Sequence, residues 1–240
     1  MKELREIITD LEVLNKMPRA DEVDTTKDMK EAREVIAEMK AIMRKKNLTS
    51  LSAPALGYDR RIFCINFSDD EIKTFVNPII THADEKMVLA DERCNCLPGR
   101  RFLVPRNNKI SVMYTRPTGQ IESREISGAA AAVFQHELNH LDGILVSYFG
   151  LEIDDEFDKA TQEEREELIN WYLDSMDLTA KELDKEIQAD PELKQISDAI
   201  DFMTKKETGE IETEEIDVSQ LVKEKEKNVT DRDNNTIRES

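Results

Sequence analysis

A chain of 240 residues can bury one sizeable core with a smaller appended unit, and its formal net charge of −18 is unevenly spread. Residues 151–240 hold 29 acidic and 12 basic residues while 1–150 hold 23 and 22, so a near-neutral body precedes a strongly acidic tail. That sign argues against direct nucleic-acid or anionic-membrane binding by the tail, since phosphate contacts need cations.

No apolar run approaches the ~18 residues of a membrane span. Met1-Lys2-Glu3-Leu4-Arg5-Glu6 lacks the apolar stretch of a secretory signal. Three cysteines, few and odd in number, do not make a disulfide framework, so a reducing cytoplasm is the expected setting. Nothing in the sequence reports an oligomeric state.

Residues 4–24 read as an irregular opening segment with a short apolar run, Leu11-Glu12-Val13-Leu14, and a break at Pro18. From Thr26 to Lys46, Met29, Ala32, Val35, Ile36, Met39, Ile42 and Met43 recur at helical spacing. The spacing predicts an amphipathic helix, with basic residues in its last turn to suit the helix dipole. Its methionine stripe reads as core packing.

After the turn-forming Leu51–Tyr58, a strand is predicted over Arg61–Asn66, another at Thr74–Val76 and a third at Val88–Leu89. Ile110–Thr115 and Ile121–Ile126 alternate about a Pro117-Thr118-Gly119 turn and read as a hairpin. Short strands bracketed by two helices point to an α+β domain, over residues 1–150.

Beyond Gly150, Thr161-Gln162-Glu163-Glu164 and Thr179-Ala180-Lys181-Glu182 are capping-box patterns, and Asp190-Pro191-Glu192 places proline at a first helical position. Three helices are expected, over 161–176, 179–189 and 191–204. Together they make an acidic helical extension over 151–206, followed by a disordered or loosely structured tail over 207–240. On the plain reading the acidity only keeps a helical tail soluble. Docking onto the body or onto a basic partner, cation-rich ribosomal protein among them, is the further expectation, although the tail lacks the basic helix of a ribosome anchor.

The chemistry concentrates in Gln135-His136-Glu137-Leu138-Asn139-His140-Leu141-Asp142-Gly143. Ala129-Ala130-Ala131-Ala132 leads into it as a good helix former, and Gly143 sits where a left-handed C-terminal cap is wanted. Four residues apart on a helix, His136 and His140 present two imidazoles to one point, while Glu137 turns away by roughly 100°. Two of the chain's three histidines fall at this spacing. A polar stripe on a surface helix is the plain alternative, but His-Glu-x-x-His is the arrangement of a metal held by two histidines with a carboxylate handling a water proton. His82, in a polar loop-like stretch, reads as solvated.

A third ligand must come from elsewhere. Cys94 and Cys96, in Asp91-Glu92-Arg93-Cys94-Asn95-Cys96-Leu97-Pro98, are the candidates. A thiolate with two imidazoles leaves a fourth tetrahedral position for water. The competing reading makes both cysteines small buried hydrophobes.

Three segments resemble the peptide deformylases, in that family's order. Gln135-His136-Glu137-x-x-His140-Leu141-x-Gly143 is similar to Gln-His-Glu-x-Asp-His-Leu-x-Gly. The stretch around Cys94 resembles Glu-Gly-Cys-Leu-Ser, then Pro, then Val-x-Arg. Leu51-Ser52-Ala53-Pro54-Ala55 resembles Gly-x-Gly-hydrophobic-Ala-Ala-Pro-Gln, and Phe75-Val76-Asn77-Pro78 looks like the family's Asn-Pro strand.

Anchored on Pro98 and Val104-Pro105-Arg106, the ligand cysteine falls on Cys94 and Cys96 takes the serine position. Anchoring on Cys96-Leu97 instead shifts every later match by two. The resemblance covers roughly residues 5–150 and not the tail. It implies a peptide-deformylase-like fold, with short antiparallel strands around a central metal-binding helix.

It also implies a function: removal of the N-formyl group from the initiator methionine of nascent polypeptides. One divalent metal is implied on Cys94, His136 and His140, ferrous iron in the cell, with zinc or nickel accepted. Glu137 would be the proton carrier and the Asn95 N–H an oxyanion donor. Ser50, Leu51, Ala55 and Arg101 would line the substrate site. The departures are Ala55 for the family's glutamine, Ser50 for a glycine, Asn139 for an aspartate and Arg93 for a glycine. Losing the glutamine donor typically costs about 10²–10³ in turnover. A catalytically weak peptide-binding relative, or a metallopeptidase with its third ligand downstream, are the alternatives.

Overall fold

Successive side chains of Ile62-Phe63-Cys64-Ile65 point to opposite faces of a strand, and this alternation divides the body into two cores. Phe63 and Ile65 pack with Phe75, Ile110, Val112 and Phe134 on one face, while Ile62 and Cys64 pack with Met39, Ile42 and Leu51 on the other. Phe134 meets Phe63 and Phe75 edge-on, with ring centroids 4.9 and 5.2 Å apart.

The computed structural model describes residues 4–68 and 71–189, and the chain divides into two units, residues 1–166 and 167–240. In the first unit, α1 (Leu11–Leu14) and α2 (Met29–Lys46) precede β1 (Ser50–Ser52), a 3-10 turn at Pro54–Leu56, and β2 (Ile62–Ser68). β3 (Glu71–Ala83), β4 (Met87–Glu92), β5 (Arg101–Asn107), β6 (Lys109–Thr115) and β7 (Ile121–Ser127) follow. Then come α3 (Ala129–Leu141), β8 (Leu151–Ile153), α4 (Asp155–Lys159) and the start of α5 (Gln162–Ala189). Five strands form an antiparallel sheet in the order β1-β2-β3-β6-β7, and three form a second in the order β4-β5-β8. α3 lies against β1, β2 and β7 of the first sheet and β5 of the second, and α2 covers β1 and β2. This is the α+β architecture expected, with a central helix among short antiparallel strands.

Several elements differ from their sequence reading. α2 begins at Met29 rather than Thr26, because the Asp24 carboxylate accepts from the Thr26 and Lys27 N–H groups and holds them in a turn. The irregular opening segment contains α1, N-capped by Asp10.

The strand read at Thr74–Val76 is thirteen residues long and carries His82, exposed, on a strand rather than in a loop. Within it Asn77 adopts φ 48°, and its side-chain amide pairs with both the N–H and C=O of Val23, pinning the opening segment to the sheet. β1, β5 and β8 have no counterpart among the predicted strands, and β1 takes Leu51 and Ser52 out of the predicted turn by pairing with β2.

The helices read at 161–176 and 179–189 are one helix. No glycine or proline interrupts Met176–Ala180, so the capping pattern at Thr179 yields to helix continuation. The Thr161 capping box does form: Thr161 Oγ1 accepts from the Glu164 N–H at 3.2 Å, and Glu164 accepts from the Thr161 N–H at 2.8 Å. The helix expected over 191–204 and the loose tail over 207–240 lie outside the described residues. No helix among the described residues is long and apolar enough to cross a membrane.

Candidate metal centre

The C-terminus of α3 is closed by three independent devices. Gly143 takes φ 72°, its N–H bonds to the His140 carbonyl at 3.2 Å, and the Ile144 N–H bonds to the Asn139 carbonyl at 2.9 Å. This is a Schellman closure built on the one residue type that accepts a left-handed conformation freely. The Arg61 guanidinium adds a cation there, bonding the Leu141 carbonyl and the Asp142 carboxylate. The Ala20 N–H bonds the Leu141 carbonyl as well, at 2.8 Å. At the other end of the motif, Gln135 clamps the backbone of Asn107 with both its amide atoms. The part of the helix that bears both histidines is therefore held on either side of them.

Cys94, just beyond β4, meets the two histidines: its Sγ and one ring nitrogen of each of His136 and His140 all lie within 4.8 Å of one another, and all three residues are buried. Cys94 Sγ is 3.1 Å from His140 Nε2. Glu92 accepts from His136 Nδ1 at 2.8 Å, which fixes the tautomer and turns Nε2 toward the sulfur. Glu92 is held in turn by Arg106 through two bonds of 2.7 and 3.0 Å. A third Arg106 bond, of 2.6 Å, reaches Asn139 Oδ1. Asn139 thus still accepts from the arginine, without the charge of an aspartate.

The electrostatics pair an anionic sulfur with imidazole N–H groups. The Cys94 thiol is lowered to about 2, first by a hydrogen bond from Cys96 and then by those with His136 and His140, against the effect of burial. Cys96, which gives that bond, is pushed up. Burial works to lower His136, yet its bonds to Cys94 and Glu92 push it up to about 10. Burial likewise opposes the charge on Glu92, but His136 and Arg106 hold it below the usual carboxylate range. The thiolate and the two imidazoles are together the donor set of a tetrahedral metal site with one position open to water, with His136 giving up the proton that these bonds hold when an ion takes its place.

The remaining sequence-predicted residues divide into those at the site and one away from it. Glu137, 3% exposed, accepts from Ser50 Oγ at 2.5 Å. Asn95 Nδ2 donates to the Ser50 carbonyl at 3.0 Å, and the Asn95 N–H has no hydrogen-bond partner among the described residues. Leu51 and Ala55 line a small cavity with Glu137 and His140. Ser50, Asn95 and His136 share a larger cleft of about 760 Å³, whose walls include Leu89, Arg93 and Val133.

Arg101 stands apart. Its guanidinium is paired with Asp91 and Asp158, and it borders a different depression. Glu92 and Arg106 hold the site together, yet the sequence reading gives them no role. The signal is present as the glutamate two residues before the cysteine and the arginine of Val-x-Arg, but only the folded chain, with both strands paired in one sheet, brings the arginine to the glutamate and the glutamate to His136.

Residues 6–148 match the family described as polypeptide deformylase. Peptide deformylase 2 of Nostoc sp. is 29% identical over 145 residues, covering 57% of this chain and 79% of that protein. The peptide deformylase of Treponema pallidum is 34% identical over 113 residues, covering 47% of this chain and 69% of the other. Among solved structures, the peptide deformylase from Thermotoga maritima superposes with a TM-score of 0.56 at 28% identity, covering 61% of this chain and 97% of that one. A probable peptide deformylase from Synechococcus phage S-SSM7 gives 0.54 at 32% identity, covering 60% and 99%. With more than half of its length matched and its metal-type donors in the matched part, the chain belongs to the polypeptide deformylase family, a family of metal-dependent hydrolases.

Proposed function

We propose that this chain removes the N-formyl group from the N-terminal methionine of newly made polypeptides, with turnover reduced by the alanine at position 55. The observation that carries the reading is the convergence of Cys94, His136 and His140 within 4.8 Å beside the buried Glu137. The third donor comes from upstream of the helix, which favours an amide hydrolase of this family over a peptidase with a downstream ligand.

Cys94, His136 and His140 would hold one divalent metal, iron in the cell or zinc or nickel in its place. When bound, such an ion supplies Lewis acidity for generating hydroxide and polarising a carbonyl. The chain's own residues supply the rest. Glu137 is placed to take the proton of the attacking water and return it to the leaving amine, so that the formamide and water become formate and a free amino terminus. The Asn95 N–H is free to donate to the developing oxyanion, whereas the Ala55 methyl has no donor to add. The cleft has an apolar wall of Leu89, Ala132 and Val133 to receive a methionine side chain, and polar groups such as Ser50 and Asn95 along it for a peptide backbone. The cytoplasm is the proposed setting, with contact to basic ribosomal protein through the acidic extension.

Formate release from a formyl-methionyl peptide, by the ferrous or nickel form of the full chain, tests the reading. No release above a Glu137→Gln control would leave a peptide-binding relative in its place.

A further inference from the structure

β1 is only three residues long, but its backbone is tied on two sides. Ser50 is in register with Ile65 of β2, and the Ser50 carbonyl accepts from Asn95 Nδ2 at 3.0 Å. The Ser50 side chain is then delivered to Glu137, where Oγ donates to Oε1 at 2.5 Å. Both residues are buried, at 8% and 3% exposure, and no other hydrogen bond reaches the Glu137 carboxylate among the described residues.

A carboxylate at the end of a glutamate side chain has a broad, nearly two-fold terminal torsion, so packing alone sets its plane loosely. One short charge-assisted bond removes that freedom. Ala55, which lines the same small cavity as Glu137, carries no polar side-chain atom that could do so.

We propose that Ser50 is a positioning residue for the general base: its hydroxyl engages Glu137 Oε1 and leaves Oε2 as the oxygen that takes the water proton and hands it to the leaving amine. The proposal deepens the deformylase reading and rests on it. It gives a reason for a side chain at a position where glycine would be the roomier choice beside a substrate cleft. The hydroxyl contributes through Glu137 and does not itself exchange a proton with substrate.

The test uses the metal-loaded full chain with Ser50→Ala, Ser50→Thr and Glu137→Gln. Three quantities are read: kcat and KM for a formyl-methionyl tripeptide, the thermal midpoint, and the infrared carboxylate band that disappears in Glu137→Gln. Ser50→Ala is expected to lower kcat about tenfold or more with KM held within about twofold, because misorientation of a catalytic group acts on the transition state. Its thermal midpoint stays near wild type, the Glu137 band shifts, and Ser50→Thr, which keeps the hydroxyl, restores most of the rate and the band position.

An unchanged kcat in Ser50→Ala, or a Glu137 band indifferent to it, overturns the proposal. So does a rate loss that Thr fails to rescue and that follows a fallen midpoint, since that describes a structural serine. If wild type itself releases no formate above Glu137→Gln, the deformylase reading fails and takes this proposal with it, an outcome distinct from the others because it appears before any Ser50 variant is compared.

Discussion

His136 Nδ1 lies 2.8 Å from Glu92 Oε2, and the same carboxylate takes two bonds from Arg106. The glutamate thus stands between a cation and an imidazole, so one ring nitrogen is committed to a proton and the other is left to face Cys94. Glu92→Gln should keep the fold and weaken metal retention about 10–100-fold. Competition against a graded chelator, read by metal content, checks this; affinity equal to wild type would mean that the ring is oriented by packing alone.

The two cysteines flanking Asn95 should separate cleanly. Cys94→Ser is expected to abolish stoichiometric metal, whereas Cys96→Ser should retain it, because Cys94 alone of the pair belongs to the three-residue donor group. Elemental analysis of protein purified without oxygen decides the matter. Metal lost from Cys96→Ser but kept by Cys94→Ser would move the ligand by two residues.

Ala55→Gln should raise turnover, up to the roughly 10²–10³ that one oxyanion donor contributes. The position lies in the turn after β1, against the cavity shared by Glu137 and His140. A rate unchanged or lowered in the formate assay would show that the stabilisation has been rebuilt from other groups.

Burial pushes the Cys64 thiol up to about 11, although a contact with Thr74 works the other way. The neutral thiol is therefore the form present at pH 8, and the thiolate is the nucleophile. Cys64 should resist alkylation in native protein and react after unfolding, a difference that peptide mass mapping reads directly. Labelling of Cys64 in the native state would contradict the packing of β2 against α2.

Gly143→Ala places a Cβ 2.6 Å from the Met17 carbonyl oxygen, at a residue with φ 72°. Backbone cannot yield there as a flexible side chain would, and a left-handed non-glycine residue costs about 1–3 kcal/mol before any clash. The thermal midpoint should fall by several degrees, and metal should be held less tightly because the last turn of α3 carries His140. A midpoint equal to wild type would show that residues 17–18 move aside freely.

The helix of the site was legible in the chain because its signals are local. Alanine composition, the four-residue histidine spacing and Gly143 all act within a few turns of one another, and the Schellman bonds formed where the glycine stands. The strand of Arg61–Asn66 and the hairpin of β6 and β7 were legible for the same reason, since alternation is a property of neighbours. β5 was not, because Pro105 and two arginines mask its pattern. The fold tolerates the proline there because β8 pairs only with Arg101–Leu103, so at Pro105 the strand has a ladder on one side alone. The continuity of α5 through Thr179 was hidden in the same way, as a capping pattern states a preference that an uninterrupted helix overrides.

What the sequence by itself determined is the pair of imidazoles and the glutamate beside them, together with a short choice of sulfur ligands; the family resemblance narrowed that choice to Cys94. What only the tertiary structure decided is the set of partners around them. Arg106 on Glu92, Glu92 on His136, Ser50 on Glu137 and Arg61 at the end of α3 join residues 14 to 87 positions apart. Such contacts depend on strand register and sheet curvature, which are global outcomes of packing, and Arg101, placed at the site by resemblance, is drawn away from it by two carboxylates that only the folded chain brings near.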